Sequence, residues 1–134
     1  MKKGIIKVCM LAVLAVCAVS MTSCFTYLVS KAATVTVKVM DGNNAVPGKV
    51  VYMFDHSRSD WHSYVKDNSS RQIATDQNGE AEFQIRELDL SLDDEKKGTF
   101  TFVVYNGDTP IGTKTVDVKS GDEKSVILRI GDVQ

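Results

Sequence analysis

The sequence predicts an all-β fold, an antiparallel β-sandwich of about seven strands preceded by an N-terminal signal segment. Three observations predict it. Apolar and polar residues alternate in run after run, which is the period of a half-buried strand. The runs are separated by Gly, Asn, Asp and Pro, residues that tolerate or impose turn geometry. No segment sustains a helical period, and there is no internal repeat or low-complexity tract.

Each element follows in order. Between residues 34 and 39, Val35, Val37 and Val39 point one way and Thr34, Thr36 and Lys38 the other. Asp41, Gly42, Asn43 and Asn44 supply a turn. Pro47 and Gly48 precede a run, 49–54, with large β-branched and aromatic residues on both faces, so this strand is expected to be central. Residues 71–75 and 80–85 flank Asp76, Gln77, Asn78 and Gly79, a hairpin signal, with Ala81, Phe83 and Ile85 inward and Glu80, Glu82 and Gln84 toward water. The next strand, 99–105, carries Phe100, Phe102 and Val104 on one face. It passes through Asn106, Gly107, Asp108, Thr109 and Pro110 to 111–119, where Val116 and Val118 alternate with Thr115, Asp117 and Lys119. A turn over 120–123 leads to the last strand, 125–130, with Val126, Leu128 and Ile130 inward. Two segments interrupt the rhythm. Residues 55–70 are polar with embedded aromatics. In 86–98, Leu88, Leu90 and Leu92 alternate with Asp89, Ser91 and Asp93 like a short extra strand, ahead of a charge run, Asp94, Glu95, Lys96 and Lys97, read as a solvated loop.

The chain has 134 residues, 43% hydrophobic and 25% charged, which allows one compact domain and leaves no room for a multidomain enzyme. A net charge of −1 gives no polycationic footprint for nucleic acid. The charge is unevenly placed. Lys2, Lys3 and Lys7 precede an uncharged stretch that runs to Lys31, and every acidic residue lies beyond it.

Residues 1–23 have the three-part grammar of a secretory signal: a basic start, an apolar run from Val8 to Val19, then small or polar residues. Met21, Thr22, Ser23 and Cys24 resemble the bacterial lipobox, with Met21 in place of the commoner Leu. The resemblance implies cleavage before Cys24 and lipid on that residue, so that acyl chains anchor the protein. A retained transmembrane anchor is the alternative, weakened by Ser20, Thr22, Ser23 and Thr26 in the second half of the stretch. Residues 24–33 then form a tether and 34–131 the domain. Removing 23 residues, with three of the 16 basic ones and none of the 17 acidic ones, leaves 111 residues at a net charge of −4. Cys9 and Cys17 leave with the signal and Cys24 carries lipid. Disulfides, thiolate zinc sites and Cys nucleophiles are therefore not expected. By resemblance to lipoprotein sorting rules, Phe25 after Cys24 implies the outer membrane, with the domain facing the periplasm.

The order of the pieces carries a further resemblance. A Val-alternating strand, then Pro47-Gly48 before Val51-Tyr52-Met53, then Thr75-Asp76-Gln77-Asn78-Gly79-Glu80-Ala81-Glu82-Phe83 and the late run 116–130 resemble the transthyretin-like, carboxypeptidase-regulatory type of β-sandwich module. The resemblance implies an attached folding or binding unit of the kind found in envelope lipoproteins of the Bacteroidetes. Its motifs encode turns and core faces rather than chemistry. The long excursion over 55–70 departs from that pattern and keeps an immunoglobulin-like topology open. The related hydroxyisourate hydrolases end in Tyr-Arg-Gly-Ser, whereas this chain ends Gly131-Asp132-Val133-Gln134, so that activity is not carried over.

Candidate sites concentrate in the 55–70 excursion. His56, Asp60 and His62 are weak metal candidates, because their spacing matches no standard ligand pair. Trp61 and Tyr64, with Tyr52 and Phe54 leading into the loop, are candidate ligand contacts as an aromatic platform for a sugar ring or a protein partner. The competing and preferred reading has Trp61 plugging the open end of the sandwich. Asp76, Asn78 and Glu80 lack the glycine position and the late Glu of a calcium loop, and a hairpin turn accounts for them. Asp89, Asp93, Asp94 and Glu95 are offset by Lys96 and Lys97. Ser57, Ser59, Asp60 and His62 lack a nucleophile elbow and an oxyanion segment. No catalytic residue and no cofactor is assigned. The expected function is a non-catalytic envelope lipoprotein, a binding or assembly module with the membrane and a protein or glycan as partners. The alternatives are a small metal- or calcium-dependent hydrolase using the 55–64 loop and a structural subunit that assembles by strand addition.

Overall fold

The computed structural model describes residues 32–86, 90 and 96–133. The signal segment, the lipobox, nearly all of the tether and most of the leucine alternation lie outside the described residues. Among the described residues eight strands form: β1 (Ala33–Asp41), β2 (Asn44–Ala45), β3 (Val50–Asp55), β4 (Arg71–Ala74), β5 (Glu80–Ile85), β6 (Lys97–Asn106), β7 (Thr109–Lys119) and β8 (Glu123–Arg129). They make two sheets. In the first, β1 lies between β5 and β8, with the two-residue β2 paired to its end. The second has the order β4-β3-β6-β7.

The alternation read from the sequence becomes the core. Val35, Val37 and Val39 of β1, Phe83 and Ile85 of β5, Phe100, Phe102 and Val104 of β6, Val116 and Val118 of β7 and Leu128 of β8 meet between the sheets. Phe83 and Phe102 face each other across the layer with ring centroids 4.9 Å apart. Leu90 is buried against the same core. As expected, β3 is central, flanked by β4 and β6.

Two pairings differ from the sequence reading. Residues 71–74 and 80–85 do not form a hairpin, because β4 pairs with β3 and β5 with β1. The turn at Asp76–Gly79 is a corner between sheets, and its motif residues hold it there. Asp76 Oδ1 accepts from the backbone N–H of Asn78 (2.9 Å) and of Glu80 (3.0 Å). Buried Thr75 donates its hydroxyl to the carbonyl of Val46 (2.6 Å) and accepts from the N–H of Lys49 (2.9 Å), which pins the Pro47-Gly48 turn. Gly79 sits at φ +76°, and a Cβ there would lie 3.0 Å from Ala45 Cβ and from Val46 N. The second difference is direction. One pair within the otherwise antiparallel arrangement is parallel, β8 beside β1 from Thr34↔Glu123 to Met40↔Arg129. The turn after Lys119 passes the chain from one sheet to the other, so β8 continues β1 and not β7 as its ladder partner.

The two open sides of the sandwich are laced. On one side Arg71 of β4 donates to the carbonyl of Gln84 on β5. On the other, Lys124 of β8 donates to the carbonyl of Asp117 on β7 (2.5 Å). Farther along that side, Gly131 N–H bonds the Ile111 carbonyl (2.6 Å) and Thr113 N–H the Asp132 carbonyl (2.9 Å). Gly112 permits this approach, since a Cβ would lie 2.7 Å from Leu128 Cδ2 and 2.8 Å from the Arg129 carbonyl.

Candidate functional site

Strands with apolar residues on both faces need cover on both. Tyr52 and Phe54 of β3 and Val103 and Tyr105 of β6 point away from the main core. Phe54, Val103 and Tyr105 are nevertheless buried, in a second cluster against which Tyr52, Trp61 and Tyr64 pack. The cover is the 56–70 excursion, which crosses the outer face of the second sheet with two short 3₁₀ turns, Trp61–Ser63 and Lys66–Asn68. Trp61 therefore does not plug the open end of the sandwich; it roofs this outer face. Phe54 is fully buried beneath the excursion, so it has no surface to offer a ligand. Tyr52, Trp61 and Tyr64 are half-buried and remain at the surface.

The roof is fastened at several points. At one end, the His56 ring stacks on Trp61 with centroids 3.6 Å apart and planes 12° from parallel. His56 Nε2 lies 2.7 Å from Thr101 Oγ1, which lies 2.9 Å from Thr115 Oγ1. Burial lowers the His56 pKa, opposed by the carboxylates of Asp55 and Asp117. Midway along it, the Tyr105 hydroxyl donates to the carbonyl of Tyr64 (2.6 Å), and at its far end Ser70 N–H donates to the carbonyl of Met53 (2.8 Å). Burial pushes the Tyr105 phenol up to about 12, reinforced by Tyr52 and Tyr64. Tyr64 holds a left-handed conformation at φ 50°. Its ring meets Phe54 edge-on at 5.5 Å, as Tyr52 meets Tyr105 at 5.0 Å. The Lys66 ammonium lies 5.6 Å from the Tyr52 ring and 5.1 Å from the Tyr105 ring, and 3.8 Å from an Asp108 carboxylate oxygen.

The candidate metal ligands have different surroundings. His56 is engaged by Thr101 and Trp61. His62 is exposed and approaches Trp61 edge-on at 5.9 Å. Asp60 Oδ1 has no hydrogen bond and lies 3.7 Å from Arg58 Nε. Among the described residues no group of three or more His, Cys, Asp or Glu side chains is placed to hold a metal ion. The site's surface is instead an amphipathic patch: the half-buried Tyr52, Trp61, Tyr64 and Lys66, with Val65 half exposed beside them. Such a patch can stack on a sugar ring or cover an apolar side chain, with Lys66 as its polar handle. Lys66, Thr101, Val103 and Tyr105 were not singled out from the sequence. The signal was there for two of them, since Val103 and Tyr105 alternate with Phe102 and Val104 and make the second half of β6 apolar on both faces.

A depression of about 580 Å³ lies beside the start of β6 and the end of β7, lined by Lys97, Thr99, Asp117, Lys119, Asp122 and Lys124 among others. Both of its aspartates are engaged. Lys124 lies 3.8 Å from Asp122, and the Thr99 hydroxyl donates to Asp117 (2.7 Å).

No family model matches the chain, and no curated protein does. Among solved structures, the chain is similar to a DUF3823 family protein from Parabacteroides merdae and to the shaft pilin spaA from Lactobacillus rhamnosus GG. Each match has a TM-score of 0.46 and 11% identity and covers 74% of this chain, with 45% and 50% of the respective structures covered. The chain thus spans about half the length of these structures.

Proposed function

We propose that the chain is a lipid-anchored, non-catalytic binding or assembly module of the bacterial cell envelope. One observation carries the non-catalytic part. The excursion that holds both histidines and the chain's one tryptophan is spent on roofing the outer face of the second sheet. His56 gives Nε2 to Thr101 and its ring face to Trp61, so acid, base or ligand duty would require dismantling the roof. The contact surface is the patch at Tyr52, Trp61, Tyr64 and Lys66, and its partner is a protein or a glycan. The anchor rests on the sequence Met21-Thr22-Ser23-Cys24.

Two experiments test the parts separately. Globomycin should accumulate the precursor, and Cys24→Ala should release the protein from the membrane fraction. Unchanged mobility and continued membrane retention would end the anchor claim. For the hydrolase alternative, metal content of the purified protein and a thermal-shift response to zinc and calcium decide. Stoichiometric metal lost on His56→Ala or His62→Ala would replace the non-catalytic reading.

A further inference from the structure

Among the described strands, β8 forms a ladder with β1 alone. Its ladder with β1 is fixed by two flanking bonds, Thr34 N–H to the Asp122 carbonyl and Ile130 N–H to the Met40 carbonyl. In a parallel ladder with that phase, Lys124, Val126 and Leu128 direct their backbone groups to β1, and Glu123, Ser125, Ile127 and Arg129 direct theirs outward. The neighbouring β7 is tied to this edge near its two ends, through Lys124 and through Gly131 and Asp132, and the Asp132 N–H also takes the outward carbonyl of Arg129. Between those ties a groove of about 420 Å³ opens, with Thr113, Lys114 and Asp132 among the residues across from Ser125 and Ile127.

The other edges are more occupied. β4 has four residues. On β5, Glu80 N–H and carbonyl are both taken by Asp76, and the Gln84 carbonyl by Arg71. On β7, Thr113 N–H, the Asp117 carbonyl and both backbone groups of Lys119 are taken. An open edge is a template for another strand, and β8 also carries Ile127, 47% exposed.

The outward side chains of β8 indicate which strand fits. Along the strand they read Glu123, Ser125, Ile127, Arg129. Set antiparallel against itself about Val126, this strand places Glu123 opposite Arg129 of the second copy and Ser125 opposite Ile127, twice over. Ile127 then meets its own counterpart diagonally on the same face. The backbone groups of Ser125 and Ile127 fall in hydrogen-bonding positions in the same register.

We infer that β8 is an interaction edge for a second copy of this chain, pairing antiparallel with the same strand about a two-fold axis at Val126. The pairing joins the β8-edged sheets of two copies into one continuous sheet. It is self-complementary, so it closes as a dimer and does not propagate as a fibre. It deepens the assembly side of the proposed function and makes no use of the anchor, so its failure leaves the Cys24 experiment untouched.

The test uses the domain from residue 32 onward. Ala32–Gln134 is a compact unit, the main core lies wholly between Ala33 and Ile130, and no native cysteine falls in this span. Sedimentation equilibrium up to about 1 mM should show a concentration-dependent dimer, of the modest affinity that a small interface gives. Ile127→Pro removes an outward donor while sparing the ladder with β1, and it should abolish the dimer. Glu123→Arg should weaken it about tenfold by setting like charges opposite each other, and Glu123→Arg with Arg129→Glu should restore it. Single cysteines read the register. At Val126 the two Cα atoms would be about 4.5 Å apart, within the roughly 4.4–6.8 Å a disulfide spans, so Val126→Cys should cross-link on oxidation. A monomer throughout the range, a dimer indifferent to Ile127→Pro and Glu123→Arg, or cross-linking through Ser125→Cys or Ile127→Cys in place of Val126→Cys would each overturn the inference.

Discussion

Replacing Thr75 by Val keeps the side chain's shape and removes one oxygen. That oxygen serves two backbone groups, the Val46 carbonyl at 2.6 Å and the Lys49 N–H at 2.9 Å, and Thr75 is only 5% exposed. A buried group left without its partner costs about 1–3 kcal/mol. Val46 and Lys49 are half-buried, so water recovers part of the loss. Two such groups give about 2–4 kcal/mol in all. For a domain near one hundred residues, with unfolding entropy of about 2.1 cal/mol/K per residue, this lowers Tm by about 10–20 °C. Thermal unfolding followed by circular dichroism measures it, with Thr75→Ser as the control that keeps the hydroxyl. If Thr75→Val melts within about 2 °C of the parent while Thr75→Ser does the same, the Thr75 hydroxyl does not hold the corner between the sheets, and the motif needs another explanation.

Three further substitutions probe other joints. Gly112→Ala should destabilise by about 1–3 kcal/mol, because its Cβ would meet Leu128 and the Arg129 carbonyl well inside contact distance; chemical denaturation that shows no loss would mean β7 and β8 separate freely. Tyr105→Phe should cost about 1 kcal/mol and raise hydrogen exchange in 56–70 while β1 and β6 keep their protection, since only the Tyr64 carbonyl loses its donor. The histidine gives a pH dependence. The fold holds the His56 pKa below its unfolded value near 6.5, so the unfolded chain binds the extra proton. Stability from this group is complete above about pH 6.5 and is lost as pH falls through the folded pKa. Urea midpoints should therefore decline between neutral pH and about pH 5 in the parent and less steeply in His56→Phe, which keeps the stack on Trp61. Parallel slopes in the two proteins would remove His56 from the account.

The inner faces of the strands were legible in the sequence because a period of two permits no ambiguity once one face is buried. Val35, Val37 and Val39, or Phe100, Phe102 and Val104, can point only one way. The corners were not legible. Asp76 to Gly79 has the composition of a hairpin turn, and local composition cannot state whether the strands on either side share a sheet. Thr75 decides that, through partners 29 and 26 positions away. The direction of β8 was hidden for the same reason, since the turn after Lys119 serves a hairpin and a change of sheet equally well. In the 56–70 excursion the sequence marked Trp61, His56 and Tyr64 as notable without indicating their use. Their use is set by Tyr52, Phe54, Val103 and Tyr105, four residues on the outward side of two adjacent strands that only tertiary packing brings together. Cover for that face had to come from outside the sheets, and the excursion that begins after Asp55 is the nearest stretch of chain able to supply it.

The position of β1 has a mechanical consequence. It is the first strand of the domain, and it is bonded along both sides, antiparallel to β5 and parallel to β8. A pull applied through residue 32 runs along the strand axis, so it loads the rungs of both ladders at once in shear and cannot peel them away one by one. Because β8 runs the same way, force entering at the start of β1 and resisted near the end of β8 stretches that parallel pair lengthwise. Drawing the two ends of the described domain apart therefore loads backbone ladders in shear, whereas a pull across the sheets meets side-chain packing, the laces at Arg71 and Lys124 and the backbone bonds of Gly131 and Thr113.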